Sequence, residues 1–245
     1  MSTQASPHEA KGRRELAVQR MVQPDLVSCG PTCLFQVARF YGDERPLSTF
    51  LGAVQRNPDG GTLAVHLANA AMDLGYRATL YPFGIRVFDP TWWELPRAKL
   101  LERVARRRLV RPAADQPMYE AWEAYLARGG RVVFHELTPE LLVRVIDAGH
   151  PLIGGMCATW FYREAREIPD TGAEDDVAGE PSGHFVVVAG YSGHGLHFHV
   201  RDPHPEVPDG GGRQPVAAAR LLTAILLGDL THDAVLLEIA PRSDR

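Results

Sequence analysis

Three short segments hold the residues best suited to covalent chemistry. They are Gln23-Pro24-Asp25-Leu26-Val27-Ser28-Cys29-Gly30-Pro31-Thr32-Cys33, then Gly183-His184-Phe185-Val186-Val187, and Arg201-Asp202-Pro203. A cysteine attacks a carbonyl carbon as its thiolate, so Cys29 needs something to take its proton. An imidazole within hydrogen-bond reach does this by forming a thiolate–imidazolium pair, and His184 is the candidate base. A carboxylate on the other ring nitrogen fixes the imidazole's tautomer and orientation, a role that suits Asp202. Gln23 lies six positions before Cys29. Its side-chain amide is a candidate donor to a developing oxyanion, beside the backbone N–H of Cys29.

Those roles demand particular elements. Pro31 suits a first helical turn, and Leu34, Val37, Ala38 and Tyr41 recur at helical spacing, so a helix is predicted from just after Cys29 to a stop at Gly42. The unpaired N–H groups and positive macrodipole end at such a start favour a thiolate. Phe185 to Tyr191 predicts a strand, Ser192 to Gly195 a turn, and Leu196 to Arg201 the returning strand. A hairpin sets the start of one strand beside the end of the other, so His184 and Asp202 are expected to meet. Further helices are predicted over Thr62–Leu74, from Thr138 and Pro139 to about Asp147, and over Val216–Leu227. Further strands are predicted at Tyr76–Phe83, Val132–His135, Leu152–Met156 and Ala234–Ile239, and Pro203–Pro215 reads as a Gly/Pro-rich loop. Helices early and hairpin strands late make an α+β order.

The Gln-(five residues)-Cys-Gly-Pro-Thr-Cys-Leu segment, the His-Phe-Val-Val-Val strand and the Asp-Pro after its hairpin resemble the bacteriocin-leader (double-glycine) peptidases. These are papain-like cysteine peptidases, often fused to ABC exporters, with stand-alone relatives. The resemblance implies a papain-like α+β fold, with an N-terminal helix carrying the cysteine packed on a C-terminal antiparallel sheet. It implies Cys29 as nucleophile, His184 and Asp202 as its triad partners, and Gln23 as oxyanion donor. Ser28 stands where that family usually has Asp. The interval from Cys29 to His184 is longer than in exporter-linked domains. A domain over 19–245 is therefore expected, with insertions at 84–131 and 162–182 and a flexible arm at 1–18. The implied activity is cleavage of a peptide or amide bond through a thioester acyl-enzyme. An acyltransferase would use the same Cys-His-Asp site, and a catalytically inactive peptide-binding module would keep only the fold. The expected partner is a peptide or amide-containing small substrate, with no cofactor and no metal.

The remaining reactive side chains have simpler readings. Cys33, one turn beyond Cys29, is either a resolving thiol or a packing residue, and packing is favoured there and at Cys157. His194, His197, His199 and His204 crowd the hairpin near Asp202 but lack a zinc-type spacing, so solvent-facing histidines are expected. Residues 97–111 are strongly basic and 164–180 strongly acidic. Each reads as a solvated face, or the acidic run as a lid that contacts the basic helix. Trp92 and Trp93 are read as core residues rather than the lining of a groove.

Composition sets the outer bounds. Hydrophobic residues make up 45% of the 245 and charged residues 23%, the balance of a globular protein with room for a sizeable core. A formal net charge of −4 disfavours a nucleic-acid binder that works through overall positive charge. No apolar run is long enough to cross a bilayer, and no apolar stretch follows the polar start, so no membrane partner and a cytoplasmic location are expected. Three cysteines are too few for a disulfide framework.

Overall fold

The computed structural model describes residues 12–242, apart from 59, 170 and 208–214. Helix α1 (Cys29–Phe40) begins at the cysteine itself, with Pro31 in its first turn, and is buried from Gly30 through Ala38. Gly30 is needed there. A Cβ at that position would lie 2.7 Å from the Thr62 methyl and 3.1 Å from Leu67, so a larger residue would push α3 (Ala64–Asp73) off the start of α1. The chain turns away after Tyr41 through Gly42, at φ +85°, as the glycine stop predicts.

The sheet that receives α1 has eight strands: β1 (Arg14–Glu15), β2 (Tyr76–Pro82), β3 (Arg131–Val132), β4 (Leu152–Cys157), β5 (Gly183–Ser192), β6 (His197–Arg201), β7 (Pro215–Ala217) and β8 (Val235–Pro241). Their order is β3-β2-β8-β4-β5-β6-β7, with β1 also paired to β5. Every pairing is antiparallel except β2 with β3. From Phe185 to Ala189 strand β5 is apolar and wholly buried, which a central strand covered on both faces requires. Helix α1 packs against β5, and α8 (Ala218–Leu227) packs against β4. The β5–β6 hairpin turns through Gly193, His194 and Gly195, all at positive φ, as the glycine-rich turn predicts. Helix α6 (Pro139–Asp147) starts at Thr138, whose hydroxyl accepts the Leu141 N–H at 3.3 Å.

Several elements depart from the sequence reading. Residues 1–11 of the expected flexible arm lie outside the described residues, but 12–18 are docked. Strand β1 pairs with Gly190 and Tyr191 beyond the end of β4, and Leu16 and Val18 are buried. Glu15 binds Arg201 and His199, and burial alone would raise its pKa. The arginine hydrogen bonds and neighbouring positive charge win, holding it down at about 2. A two-residue strand has no period to read, which is why this contact is silent in the sequence.

In the segment expected as an insertion at 84–131, α4 (Arg97–Arg108) is followed by an unforeseen helix, α5 (Gln116–Ala127). Both join the main core through Leu100, Val104, Tyr119, Trp122 and Tyr125. Helix α2 (Leu47–Ala53), helix α7 (Ala158–Tyr162) and strand β7 were also unforeseen, and all three are short. Most of the expected Pro203–Pro215 loop lies outside the described residues.

Candidate active site

Cys29, His184 and Asp202 form one chain of interacting side chains. Cys29 lies beside the His184 ring, near enough for the ring's hydrogen bonding and charge to act on the thiol. His184 Nε2 lies 2.9 Å from Asp202 Oδ1, which leaves Nδ1 for the thiol. The hairpin accounts for this meeting. Val187 sits opposite Arg201 in the β5–β6 register, so the chain before Val187 and the chain after Arg201 run out of the sheet together. Cys29 is half-buried, while His184 and Asp202 are almost wholly buried.

Electrostatics favour the charged form of the pair. Burial raises the Cys29 pKa, but the His184 hydrogen bond and charge, with the Phe185 and Gly30 backbone, outweigh it and bring the thiol below its usual value. Burial opposes a charge on His184 as well. Hydrogen bonds to Asp202 and Cys29 and the charges of both prevail, pushing it up to about 10. For Asp202, burial is again overcome, by His184, the His204 N–H and Tyr162, and its pKa is lowered. The arrangement therefore lowers the cost of forming a thiolate beside an imidazolium, the pair from which a cysteine attacks a carbonyl.

Gln23 is brought to the same place but is not part of that chain. It is buried, and its backbone N–H donates to the Pro203 carbonyl at 2.9 Å, next to Asp202. Its side-chain nitrogen donates to the Asp25 carbonyl at 2.7 Å, and its side-chain oxygen has no partner among the described residues. One N–H of the amide is thus spent on the local turn and the other remains.

Two residues that the sequence reading passed over, Tyr162 and Arg20, complete the site, with His204, which was expected to face solvent and is half-buried. Tyr162, at the end of α7, donates its hydroxyl to Asp202 Oδ2 at 2.7 Å, so both carboxylate oxygens are held. Arg20 donates to the carbonyls of Asp202 at 2.6 Å and His204 at 2.5 Å, fastening the segment before Gln23 to the loop after β6. The His204 ring lies 6.0 Å from that of His184 and 5.9 Å from that of Tyr162. No spacing marks these residues in the sequence, since each is brought in by a separate element. Ser28 is fully buried and accepts a hydrogen bond from Arg56 at 3.0 Å; Arg56 also holds the Gly60 carbonyl at 3.1 Å.

Other side chains singled out from sequence lie elsewhere or behave differently. Cys33 is fully buried and donates to the Phe185 carbonyl at 3.2 Å, and Cys157 is buried in β4, so both pack as expected. His199 is not solvent-facing. It is buried between Glu15 at 3.0 Å and Ser192 at 3.2 Å, because β1 covers that part of β5 and β6, whereas His194 and His197 are exposed. Among the described residues, no three His, Cys, Asp or Glu side chains converge as a metal site. The basic helix α4 does not meet the acidic loop in any described ion pair. Arg108 pairs with Glu123 and Glu120 of α5, while Arg166 of the acidic segment donates to the Asp176 carbonyl. Trp93 is not a core residue. It is 44% exposed and stacks on Phe134, because the short helical turn at Pro90–Trp92 lies at the surface.

An α+β fold with a cysteine opening the central helix, and a His–Asp pair carried on an antiparallel sheet against it, is the papain-like architecture. No family model matches the chain, and neither does any curated protein. Among solved structures, a Bacillus anthracis protein described as a C39-like peptidase shares the fold, with a TM-score of 0.50 and 15% identity over 95% of this chain and 99% of that one. The peptidase domain of Streptococcus ComA, a bi-functional ABC transporter of a quorum-sensing pathway, gives a TM-score of 0.45 at 15% identity over 92% and 99% of the two chains. A double glycine motif protease from an AMS/PCAT transporter, solved with its leader peptide, gives 0.47 at 14% over 93% and 94%. The chain therefore has the fold of the C39-like peptidases. Among its described residues, no helix is long and apolar enough to cross a membrane.

Proposed function

We propose that this protein is a cysteine peptidase or amidase that cleaves a peptide or amide bond through a thioester on Cys29. The observation that carries the reading is the His184–Asp202 hydrogen bond beside Cys29, which stands at the start of α1. Cys29 attacks the carbonyl carbon as a thiolate, and the charge moves to the carbonyl oxygen. The backbone N–H of Cys29 and the remaining amide N–H of Gln23 are the proposed oxyanion donors. His184 gives its proton to the leaving amine, then takes one from the water that attacks the thioester, which frees the acid and restores the thiol. Asp202 keeps the ring turned toward Cys29, and Tyr162 keeps Asp202 turned toward the ring. The proposed substrate is a peptide or an amide-containing small molecule.

Intact-mass spectrometry after exposure to a peptide and amide library tests the reading. A mass increase equal to the acyl part of a substrate, mapping to Cys29 and absent in His184→Ala, is the expected result. If wild type and Cys29→Ala bind and return every substrate unchanged and alike, the reading is wrong. Running the assay with and without an added amine separates hydrolysis from acyl transfer.

A further inference from the structure

A second buried acidic side chain has no part in the chemistry above. Asp233, just before β8, is only 8% exposed. Its Oδ1 accepts the Ala64 N–H at the start of α3 at 2.9 Å, while Oδ2 has no partner among the described residues. Its backbone is pinned by the Gly228 carbonyl at 2.8 Å. The side chain lines a small cleft of about 40 Å³. The walls are mostly apolar, including Leu63, Val65, Phe88, Met118 and Trp122. The other ionisable groups facing it are Arg86, Asp229 and His232. Arg86 and Asp229 are 3.7 Å apart and offset each other, and burial lowers the His232 pKa toward the neutral ring, so the Asp233 carboxylate is left without a counter-charge.

Two packing contacts connect the cleft's lining to residues next to Cys29 and His184. Leu63 and Ala64 follow Thr62, whose methyl packs on Gly30, the residue after Cys29. The Asp233 carbonyl packs on Gly155, whose other close neighbour is the ring of Phe185, the residue after His184.

We propose that Asp233 is a specificity-determining residue, and that this cleft receives a primary ammonium group of the substrate: a lysine-like side chain or a free peptide N-terminus. An apolar cleft with one rigid, half-paired carboxylate rewards a ligand with a short alkyl body and a cationic end, since that ligand supplies the counter-charge the protein lacks. Burial pushes Asp233 up to about 7, which agrees with a carboxylate short of a partner. The assignment of substrate class rests on Cys29 being the nucleophile; binding of an amine in the cleft does not.

Binding is therefore tested first, in Cys29→Ala, by titrating n-butylammonium against n-butanol at pH 8 with NMR detection. At least tenfold tighter binding of the amine is expected, and Asp233→Asn, which keeps an acceptor for Ala64, should remove the preference. Equal binding of the two probes overturns the proposal, whether or not Asp233→Asn folds. Turnover is then compared for peptides with lysine against norleucine, and with free against acetylated N-termini, which separates the two sources of ammonium. Asp233→Asn should lower kcat/KM at least tenfold for one ammonium-bearing series and leave its neutral counterpart unchanged. An equal loss for both would make Asp233 a structural cap only. If the amine binds but the wild-type protein forms no acyl adduct with any substrate, the peptidase reading fails and the amine site stands.

Discussion

Cys29 and Cys33 lie one turn apart on the same helix and are driven in opposite directions. Both are removed from water, which by itself raises a thiol pKa. At Cys29 the imidazolium of His184 and two backbone groups overcome that penalty. Among the described residues, Cys33 has only the Phe185 carbonyl to donate to, and the nearby charges of Cys29 and Asp202 push its pKa further up. Burial thus raises the pKa of one thiol unopposed and, beside a histidine, is overcome at the other. Position on the helix matters less than which strand residue the side chain faces.

The largest expected effect tests that contrast directly. Cys29→Ala should lower kcat/KM by about 10⁴-fold or more, whereas Cys33→Ala should stay within about threefold and cost roughly 1 kcal/mol of stability from lost packing. Kinetics and urea denaturation check both. Iodoacetamide should label Cys29 at neutral pH and leave Cys33 untouched in the folded protein. Labelling of Cys33 first, or loss of turnover only in Cys33→Ala, would break the comparison.

A smaller but more informative effect is expected from Asp202→Asn, about 10²- to 10⁴-fold in kcat/KM, because the ring loses both its orientation and its charge support. The wild-type pH profile should rise as Cys29 loses its proton, below the ordinary thiol range, and fall as His184 loses its own near pH 10. Removing the Asp202 charge should move the alkaline limb downward. Stability follows the same sign. His184 has a raised folded pKa, so its stabilising contribution is complete below its ordinary value of 6.5 and disappears as pH climbs through about 10. Urea midpoints measured from pH 6 to 10.5 should fall more steeply in wild type than in His184→Ala.

Among the site residues, Tyr162→Phe gives the smallest effect. It deletes one hydrogen bond to a buried carboxylate, worth roughly 1.5–3 kcal/mol at most. A kcat/KM loss of about tenfold is expected, mainly in kcat, with the acid and alkaline limbs closer together. A change confined to KM would show that Tyr162 meets the substrate instead of steadying Asp202.

How much of this was legible beforehand depended on whether a feature was local. The start of α1 is written in Cys29, Gly30 and Pro31, and the β5–β6 hairpin in an apolar run broken by Gly193-His194-Gly195. Both are set by neighbouring residues, through turn geometry and period. Helix α5 was missed because its buried face is built of Tyr119, Trp122 and Tyr125 with small and charged residues between, a weak apolar stripe. Helix α7 was missed because five residues are too few to show a helical period.

By itself, then, the sequence determined the α+β order, the cysteine at a helix start, and a hairpin that sets His184 against Asp202. Only the tertiary structure decided that Cys29 and not Cys33 faces His184, that Tyr162 and Arg20 converge on Asp202, and that Asp233 is left half-paired at the start of α3. The first set follows from backbone preferences within a few residues. The second depends on which side chains distant segments bring together when the core closes, and on charges whose strength depends on what else is buried around them.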